Sequence, residues 1–287
     1  MKSSKNLAKT SLCAGLIILC TGPFLAKASP MTYAVTADGR FGRFDLSNDS
    51  FYQIGGFVMG GFRGLGNLPD GTPITLDSNG NLWQLNTTIG AVGIIGSTGG
   101  QIASLGSMSS GALYGIGFDD QLYRINGSTS ATSPIGNTGL PDSRGGVLSG
   151  NGDSLYYILN PANSVDAATL YRLNRTTGAA TLIGSTGTSD ISGAGFVNGV
   201  LYASCGSGIY SDPSAPHQIV SLDLHSGQAT FVSQYASGMA LSGFDTLVVP
   251  EPGAPALFVA GFLALFFAQI LRRQSSVSLR PAPGRTR

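Results

Sequence analysis

The sequence predicts an all-β fold in which one four-stranded unit occurs five times and the last strand closes the ring. Three observations predict it: a 15-residue segment recurs five times, a Leu-Tyr strand signal precedes most copies, and a glycine-spotted apolar stretch precedes that signal. Four short strands in units of about 40–50 residues are typical of a β-propeller. The 287 residues include 42 glycines and only 11% charged side chains, which suits short strands joined by tight turns.

The recurring segment predicts a β-hairpin whose turn begins at an Asn or Asp. The turn residues of the five copies are Asp45, Asn86, Asn126, Asn174 and Asp223. An apolar residue precedes each of them, and a β-branched residue follows nine positions later. Asn and Asp side chains bond to nearby backbone in such turns, and glycine supplies positive φ. Three of the asparagines also begin glycosylation-like sequons, but the turn role explains their regular spacing.

The two ends of the repeat region predict how the ring closes. Only four residues, 29–32, separate the expected mature terminus from Tyr33, which leaves no room for an innermost strand in the first blade. The stretch Ala240–Phe244 resembles the glycine-spotted stretch Ile191–Phe196. We therefore expect 240–244 to pair beside the Tyr33 strand and to remove the open sheet edges.

Residues 1–28 have the order of a secretory signal peptide. Three lysines precede an apolar run, Leu12–Cys20, that is too short to cross a bilayer. Ala26 and Ala28 form the small–x–small pattern that signal peptidase reads, so cleavage is expected after Ala28. A buried helix of the fold would not need charge, apolar run and cleavage pattern in this order.

The C-terminal region predicts a membrane anchor. Pro250-Glu251-Pro252 precedes Gly253–Leu271, nineteen residues whose only strongly polar member is Gln269. A helix of that length spans about 28 Å, close to the hydrocarbon thickness of a bilayer. Arg272-Arg273 follows, and arginines beyond a span mark the cytoplasmic side.

This order of elements resembles the PEP-CTERM sorting signal of Gram-negative bacteria, over residues 249–273. The resemblance implies cleavage near Pro250–Pro252 by an exosortase and a mature form at the cell surface or outside the cell, often among exopolysaccharide. The tail after the arginines is longer than such signals usually carry. The expected segments are a signal peptide (1–28), a β-propeller (29–249), a sorting signal (250–273) with a transmembrane helix (253–271), and a cytoplasmic tail (274–287).

The charge and cysteine content of the body exclude several function classes. Residues 29–252 hold seven arginines against fourteen aspartates and one glutamate, a net charge of −8. Such a surface repels phosphate backbones, so nucleic-acid binding is disfavoured. Cys205 is the one cysteine of this body, so no internal disulfide forms. We expect it to be a small buried apolar side chain.

The body offers little for catalysis. It has no lysine, no glutamate before Glu251 and no G-x-S-x-G nucleophile motif. Five-bladed propellers include glycosidases, which this chain could resemble. That family uses glutamate as its acid, and this body has no glutamate before Glu251. We expect a non-enzyme without a cofactor. The alternative is a secreted glycan-active hydrolase or lyase that uses Asp, Tyr or His.

Two candidate metal sites are better understood as turn and loop residues. Asp77-Ser78-Asn79-Gly80-Asn81 places oxygen atoms at alternate positions as calcium loops do, but no bidentate acid follows. A tight hairpin turn explains this segment better, and calcium stays the alternative. His217 and His225 lack the helical i, i+4 spacing, and we expect both to be exposed in loops.

A binding face is predicted from two lengthened connections, Leu159–Thr169 and Ser204–His217. Second-strand and turn residues lie twelve apart in the first three blades, but eighteen and twenty-one apart in the last two. Insertions at one place in a repeat ring lie on one face, often the binding face, and the links between blades emerge there too. The candidate ligand-binding residues are Asp142, Arg144, Asp166, Asp190, Tyr210, Asp212 and His217.

Solvated loop residues are the other interpretation of this set. With the export signals, the pattern predicts a non-catalytic surface or matrix protein. Its face would bind carbohydrate or another envelope component.

We predict that the mature chain starts at Ser29 and lacks Leu271. Glu251→Ala should leave an uncleaved, membrane-bound form if the Pro-Glu-Pro tripeptide is read directly, whereas Gln274→Ala should process normally. Intact-mass measurement of the surface and membrane fractions checks both ends. A mature form that always retains Leu271 contradicts the sorting prediction.

Overall fold

The structure is a computed structural model that describes residues 31–56, 61–141, 145–161, 166–206, 217–235 and 239–248. Within these ranges the chain forms twenty strands in five antiparallel sheets of four. The sequence prediction of a five-bladed β-propeller is confirmed. The signal peptide and the sorting signal lie outside the described residues. Among the residues that are described, no helix is long and apolar enough to cross a membrane.

Each blade runs from an innermost to an outermost strand. The first blade contains β20 (Leu241–Val248), β1 (Met31–Thr36), β2 (Phe41–Asp45) and β3 (Ser50–Gln53). The second contains β4 (Phe62–Asn67), β5 (Pro73–Asp77), β6 (Asn81–Asn86) and β7 (Gly90–Ser97). The third contains β8 (Ile102–Ser107), β9 (Leu113–Gly117), β10 (Gln121–Ile125) and β11 (Thr132–Asn137).

The last two blades have the same order. The fourth contains β12 (Val147–Asn151), β13 (Ser154–Leu159), β14 (Thr169–Leu173) and β15 (Ala180–Ser185). The fifth contains β16 (Ile191–Val197), β17 (Val200–Cys205), β18 (His217–Leu222) and β19 (Ala229–Tyr235).

The glycine-spotted stretches form the innermost strands, which contact one another in a closed ring. Their glycines lie where two backbones nearly touch. A Cβ on Gly64 would come 2.4 Å from the carbonyl oxygen of Leu105, and a Cβ on Gly195 would come 2.4 Å from that of Phe244. Only glycine fits such an approach, which explains the composition of these strands.

Serine hydroxyls also join neighbouring inner strands. Ser107 Oγ accepts a hydrogen bond from the backbone N–H of Asn67 at 3.0 Å. Ser104 Oγ accepts one from Leu148 at 2.9 Å. Both bonds are buried and join different blades, so they satisfy backbone groups that the sheets leave unpaired.

The predicted closure is confirmed. β20 pairs antiparallel with β1, with Ala34 opposite Phe244. The Phe244 ring is buried, and its centroid lies 6.1 Å from that of Phe44 in the same blade. The carbonyl oxygen of Leu241 accepts from Ser204 Oγ at 2.8 Å, which ties the closing strand to the fifth blade.

Apolar clusters fill the five interfaces between neighbouring blades. The hairpin turns follow the predicted chemistry at the outer side of each blade. Asn86 Oδ1 accepts from the backbone N–H groups of Thr88 at 2.8 Å and Ile89 at 3.1 Å. Two further asparagines and one aspartate accept from the same two turn positions: Asn126, Asn174 and Asp223.

In three blades a buried threonine follows the outer strand and bonds to the second-to-third connection of the same blade. The repeat pattern did not predict this role. Thr186 donates from N and Oγ1 to the carbonyl oxygen of Ala168, and its own carbonyl accepts from Ala229 of the next blade. Thr98 and Thr138 donate to the equivalent connections of their own blades. The recurrent Gly-(Ser/Asn)-Thr-Gly that ends at Gly99, Gly139 and Gly187 is the signal that could have revealed it.

We predict that Gly195→Ala destabilises the ring whereas Gly93→Ala does not. The added methyl at Gly195 meets backbone of β20, while at Gly93 in β7 nothing lies within 4 Å. Overpacking should cost about 1–3 kcal/mol of unfolding free energy at Gly195. The control should stay within about 0.5 kcal/mol. Urea denaturation of both variants checks this, and equal stabilities would contradict the tight inner ring.

Candidate functional site

The strand order gives the ring two different faces. Connections from second to third strands, and links between blades, lie on one face, which we call the insertion face. First-to-second and third-to-fourth connections lie on the other, the turn face. Second-to-third connections are short turns in the first three blades, 37–40, 78–80 and 118–120. In the last two blades they span 160–168 and 206–216. The predicted lengthening is therefore real and confined to adjacent blades.

Three of the seven sequence-predicted site residues are described by the structure. Asp166 is exposed at the end of the fourth-blade connection. Asp190 is half-buried in the link to the fifth blade, and His217 opens β18. All three belong to the insertion face by topology. The remaining four lie outside the described residues: Asp142, Arg144, Tyr210 and Asp212.

Asp190 brings the inter-blade link to the base of the second insertion. Its carbonyl oxygen accepts from the backbone N–H of Gly206 at 3.0 Å. The thiol of Cys205 is buried beside it, as expected from the sequence. Burial raises the pKa of Cys205 to about 11, and the charge of Asp190 adds to that rise. The thiol therefore stays protonated at neutral pH and is not a nucleophile.

The expectation of an exposed His217 is wrong. Only 7% of it is exposed, and its ring centre lies 5.3 Å from that of Tyr235. It pairs in register with Tyr235, which packs into the seam between the fifth and first blades. Among the described residues, its Nδ1 has no hydrogen-bond partner. His225 lies exposed in the hairpin turn, as expected.

Asn160 fastens the first insertion, and no sequence signal marked it. Its Nδ2 donates to the carbonyl oxygens of Gly145 at 2.6 Å and Ile191 at 2.7 Å. Its Oδ1 accepts from the backbone N–H of Ile191 at 2.9 Å. Because the other blades have no equivalent residue at this point, the repeat pattern cannot reveal it. The side chain holds the start of the long connection against the beginnings of two inner strands.

Asp77 is held by its own turn. Its Oδ1 accepts from the backbone N–H groups of Asn79 and Asn81, each at 2.8 Å. Its Oδ2 accepts from Asn81 Nδ2 and Trp83 Nε1, each at 2.9 Å. Burial would raise the pKa of Asp77, but these hydrogen bonds outweigh it and keep the pKa below its ordinary value. The hairpin-turn interpretation is confirmed. Within the described ranges no group of three His, Cys, Asp or Glu could hold a metal.

An open cleft of about 620 Å³ lies on the turn face, opposite the insertions. Leu68 and Asp70 of the second blade and Asn126 of the third line it. Arg124 also lines it, and its Nη1 donates to the hydroxyl of Tyr114 at 3.0 Å. The repeat pattern did not predict this cleft, because it arises from the approach of turns in two different blades.

No protein-family model matches the chain, and no curated protein matches its sequence. Its fold is similar to TolB from Acinetobacter baumannii, with 9% identity and a TM-score of 0.46 over 71% of this chain and 52% of that one. A Bacteroides thetaiotaomicron protein of unknown function is similar with 14% identity and a TM-score of 0.48, over 75% of this chain and 58% of that one. A PQQ-bound aldose sugar dehydrogenase from Streptomyces coelicolor is similar with 14% identity and a TM-score of 0.43, over 64% of this chain and 70% of that one.

The chain thus spans 52% and 58% of the first two structures. These likenesses concern the fold alone. By its own strand order, the chain is a five-bladed β-propeller.

We predict that Asp77→Asn lowers the unfolding free energy by about 1–3 kcal/mol at pH 7, because a buried charge-assisted acceptor is lost. A lowered pKa contributes stability above the unfolded value of about 3.9, and that stability is lost as pH falls through the folded value. The difference from wild type should therefore shrink at pH 3. Thermal unfolding at both pH values checks this.

The control is Asp153→Asn on the exposed ion pair with Arg175, 3.2 Å long. It should change stability by less than about 0.5 kcal/mol at either pH. An Asp77→Asn effect that is the same at pH 3 and pH 7 contradicts the electrostatic account.

Proposed function

We propose that this chain is an exported, non-catalytic surface protein whose insertion face binds carbohydrate or another envelope component. One observation carries the proposal: adjacent blades are lengthened at the same connection, 160–168 and 206–216. The other three blades make this connection in short turns, so the ring itself does not need the length. Ordering a loop costs conformational entropy, which a recognition role would offset.

The anchoring of the insertions supports recognition. Asn160 fixes the start of one, and the Asp190–Gly206 hydrogen bond fixes the start of the other. Both anchors join an insertion to the beginning of β16 or its preceding link. Binding surfaces gain affinity when their loops are held in place before the ligand arrives.

Two carboxylates of the described insertion face, Asp38 and Asp77, are held as acceptors and not as acids. A glycosidase acid needs a raised pKa. Burial would raise the pKa of Asp38, but hydrogen bonds from Arg40 and Thr36 outweigh it, so its pKa is lowered. Asp77 shows the same balance. Carboxylates held in this way are acceptors and structural groups.

Processing completes the proposal and rests on the sequence alone. Signal peptidase would release the N-terminus, and the PEP-CTERM helix would hold the precursor in the inner membrane with its propeller in the periplasm. Exosortase cleavage would then deliver the propeller to the cell surface or the extracellular polysaccharide.

We predict that trimming both insertions to the three-residue length of the third blade's turn abolishes adhesion to the organism's extracellular polysaccharide and leaves the melting temperature nearly unchanged. The deletions keep Asn160 and Gly206, so the anchors remain. Arg175→Ala on the turn face is the control and should adhere as wild type does. Cosedimentation with the polysaccharide and thermal unfolding check the two arms.

Adhesion that survives the deletions would remove the insertions from the proposed site. A large loss of stability would show that they are packing elements. Release of oligosaccharides from the polymer by wild type would favour the glycan-active alternative.

A further inference from the structure

Phe118 on the insertion face departs from the repeat. It begins the short second-to-third turn of the third blade, where the first two blades carry Ala37 and Ser78. These turns align on a residue with positive φ two positions later: Gly39, Gly80 and Asp120. Small residues are sufficient for the turn, yet the Phe118 side chain stands 45% exposed. Burying a phenylalanine stabilises a fold, whereas this one remains half in solvent.

Arg63 is a second departure, at a different position of the repeat. It is the second residue of the inner strand β4, directly after the buried Phe62. At the matching places, Ala103 follows Ile102 in β8 and Ser192 follows Ile191 in β16. A long cation beside the axis is therefore not required for the ring to close.

The two departures meet in space. Arg63 Cζ lies 5.8 Å from the centroid of the Phe118 ring. Within the part of the chain that the structure describes, Arg63 forms no ion pair, whereas Arg40 lies 2.8 Å from Asp38. A cation–π contact at an exposed site contributes little to stability. Two unneeded side chains that come together across two blades therefore point to a ligand.

The surrounding charges select the ligand class. Asp119 and Asp120 follow Phe118 directly in the chain, and residues 29–252 as a whole carry a net charge of −8. An anionic sugar is disfavoured there. A neutral sugar suits both side chains, since its C–H face packs on the aromatic ring and its hydroxyls accept from the guanidinium.

We propose that Arg63 and Phe118 form a subsite for one neutral hexose unit of a polysaccharide, extending the insertion face beyond the long connections. This deepens the proposed function and rests on it for carbohydrate as the ligand class. The subsite lies on the second and third blades, whereas the insertions belong to the fourth and fifth. A polymer chain that crosses the axis would contact both.

Affinity electrophoresis of the full chain in native gels tests the subsite. The gels contain dextran, galactomannan, xyloglucan or laminarin as neutral polymers, and alginate as the anionic one. Phe118→Ala and Arg63→Ala introduce the residues of the sister blades, so both should fold with an unchanged melting temperature. Each should weaken retardation by a neutral polymer roughly tenfold or more.

Matched controls come from the same chain. Phe231→Ala removes another exposed phenylalanine, 59% accessible on the outer strand β19, and Arg175→Ala removes an arginine of the turn face. Both should bind as wild type does. Arg63→Lys should recover part of the affinity, because it keeps charge but loses the planar donor fork.

The outcomes separate the subsite from the proposed function. If a polymer retards the wild-type chain and retards Phe118→Ala as strongly as Phe231→Ala, the subsite is overturned and the insertions remain as the binding surface. Retardation by alginate alone overturns the neutral-sugar assignment. A wild-type chain that no polymer retards overturns both proposals. A clear drop in the melting temperature of both sister-blade variants would assign the pair to packing.

Discussion

The close approach of the five inner strands around one axis is the constraint on which the rest of the structure depends. Gly64, Gly195 and Gly243 each lie within 3 Å, at the place of a missing Cβ, of a backbone atom of the next inner strand. At these three positions the contact leaves no room for a side chain. The apolar side chains therefore pack between the blades, in five separate clusters rather than one central core. Each blade is stable only because two neighbours cover its faces.

The same arrangement explains how a chain with few charges keeps a defined register. Ser104 and Ser107 accept hydrogen bonds from backbone groups of the adjacent blade, and the carbonyl oxygen of Thr186 accepts one from the next blade. Neighbouring sheets are therefore joined by directional contacts as well as by packing. The insertion face can then vary freely, because none of these joints depends on how long a second-to-third connection is. The lengthened connections therefore begin at firm anchors, Asn160 and the Asp190–Gly206 bond, while the turns of the other blades stay short.

The repeat pattern predicted the strands and turns within each blade, but it did not predict the side-chain contacts between blades. Hairpin turns at Asn86 or Asp223 depend on residues a few positions away, so spacing was enough to find them. Closure by Ala240–Phe244 was predicted because the sequence before Tyr33 leaves no room for the innermost strand of the first blade. Burial of His217 depends on Tyr235 and the seam, which no local pattern encodes. Asn160 and the Arg63–Phe118 pair are single departures from the repeat, visible only once the blades are aligned in space.

Closure by the last strand also decides where mechanical load enters the molecule. Thr32 and Val248 are direct partners in the first blade, so β1 begins and β20 ends side by side at the turn face. Any pull through residues beyond Val248 acts first on β20, the strand that holds the circle shut. If the precursor is anchored beyond Val248, as proposed above, its insertion face points away from the point of attachment. Tension on the tether would shear the β20–β1 ladder lengthwise, against all of its hydrogen bonds together, instead of peeling them one by one.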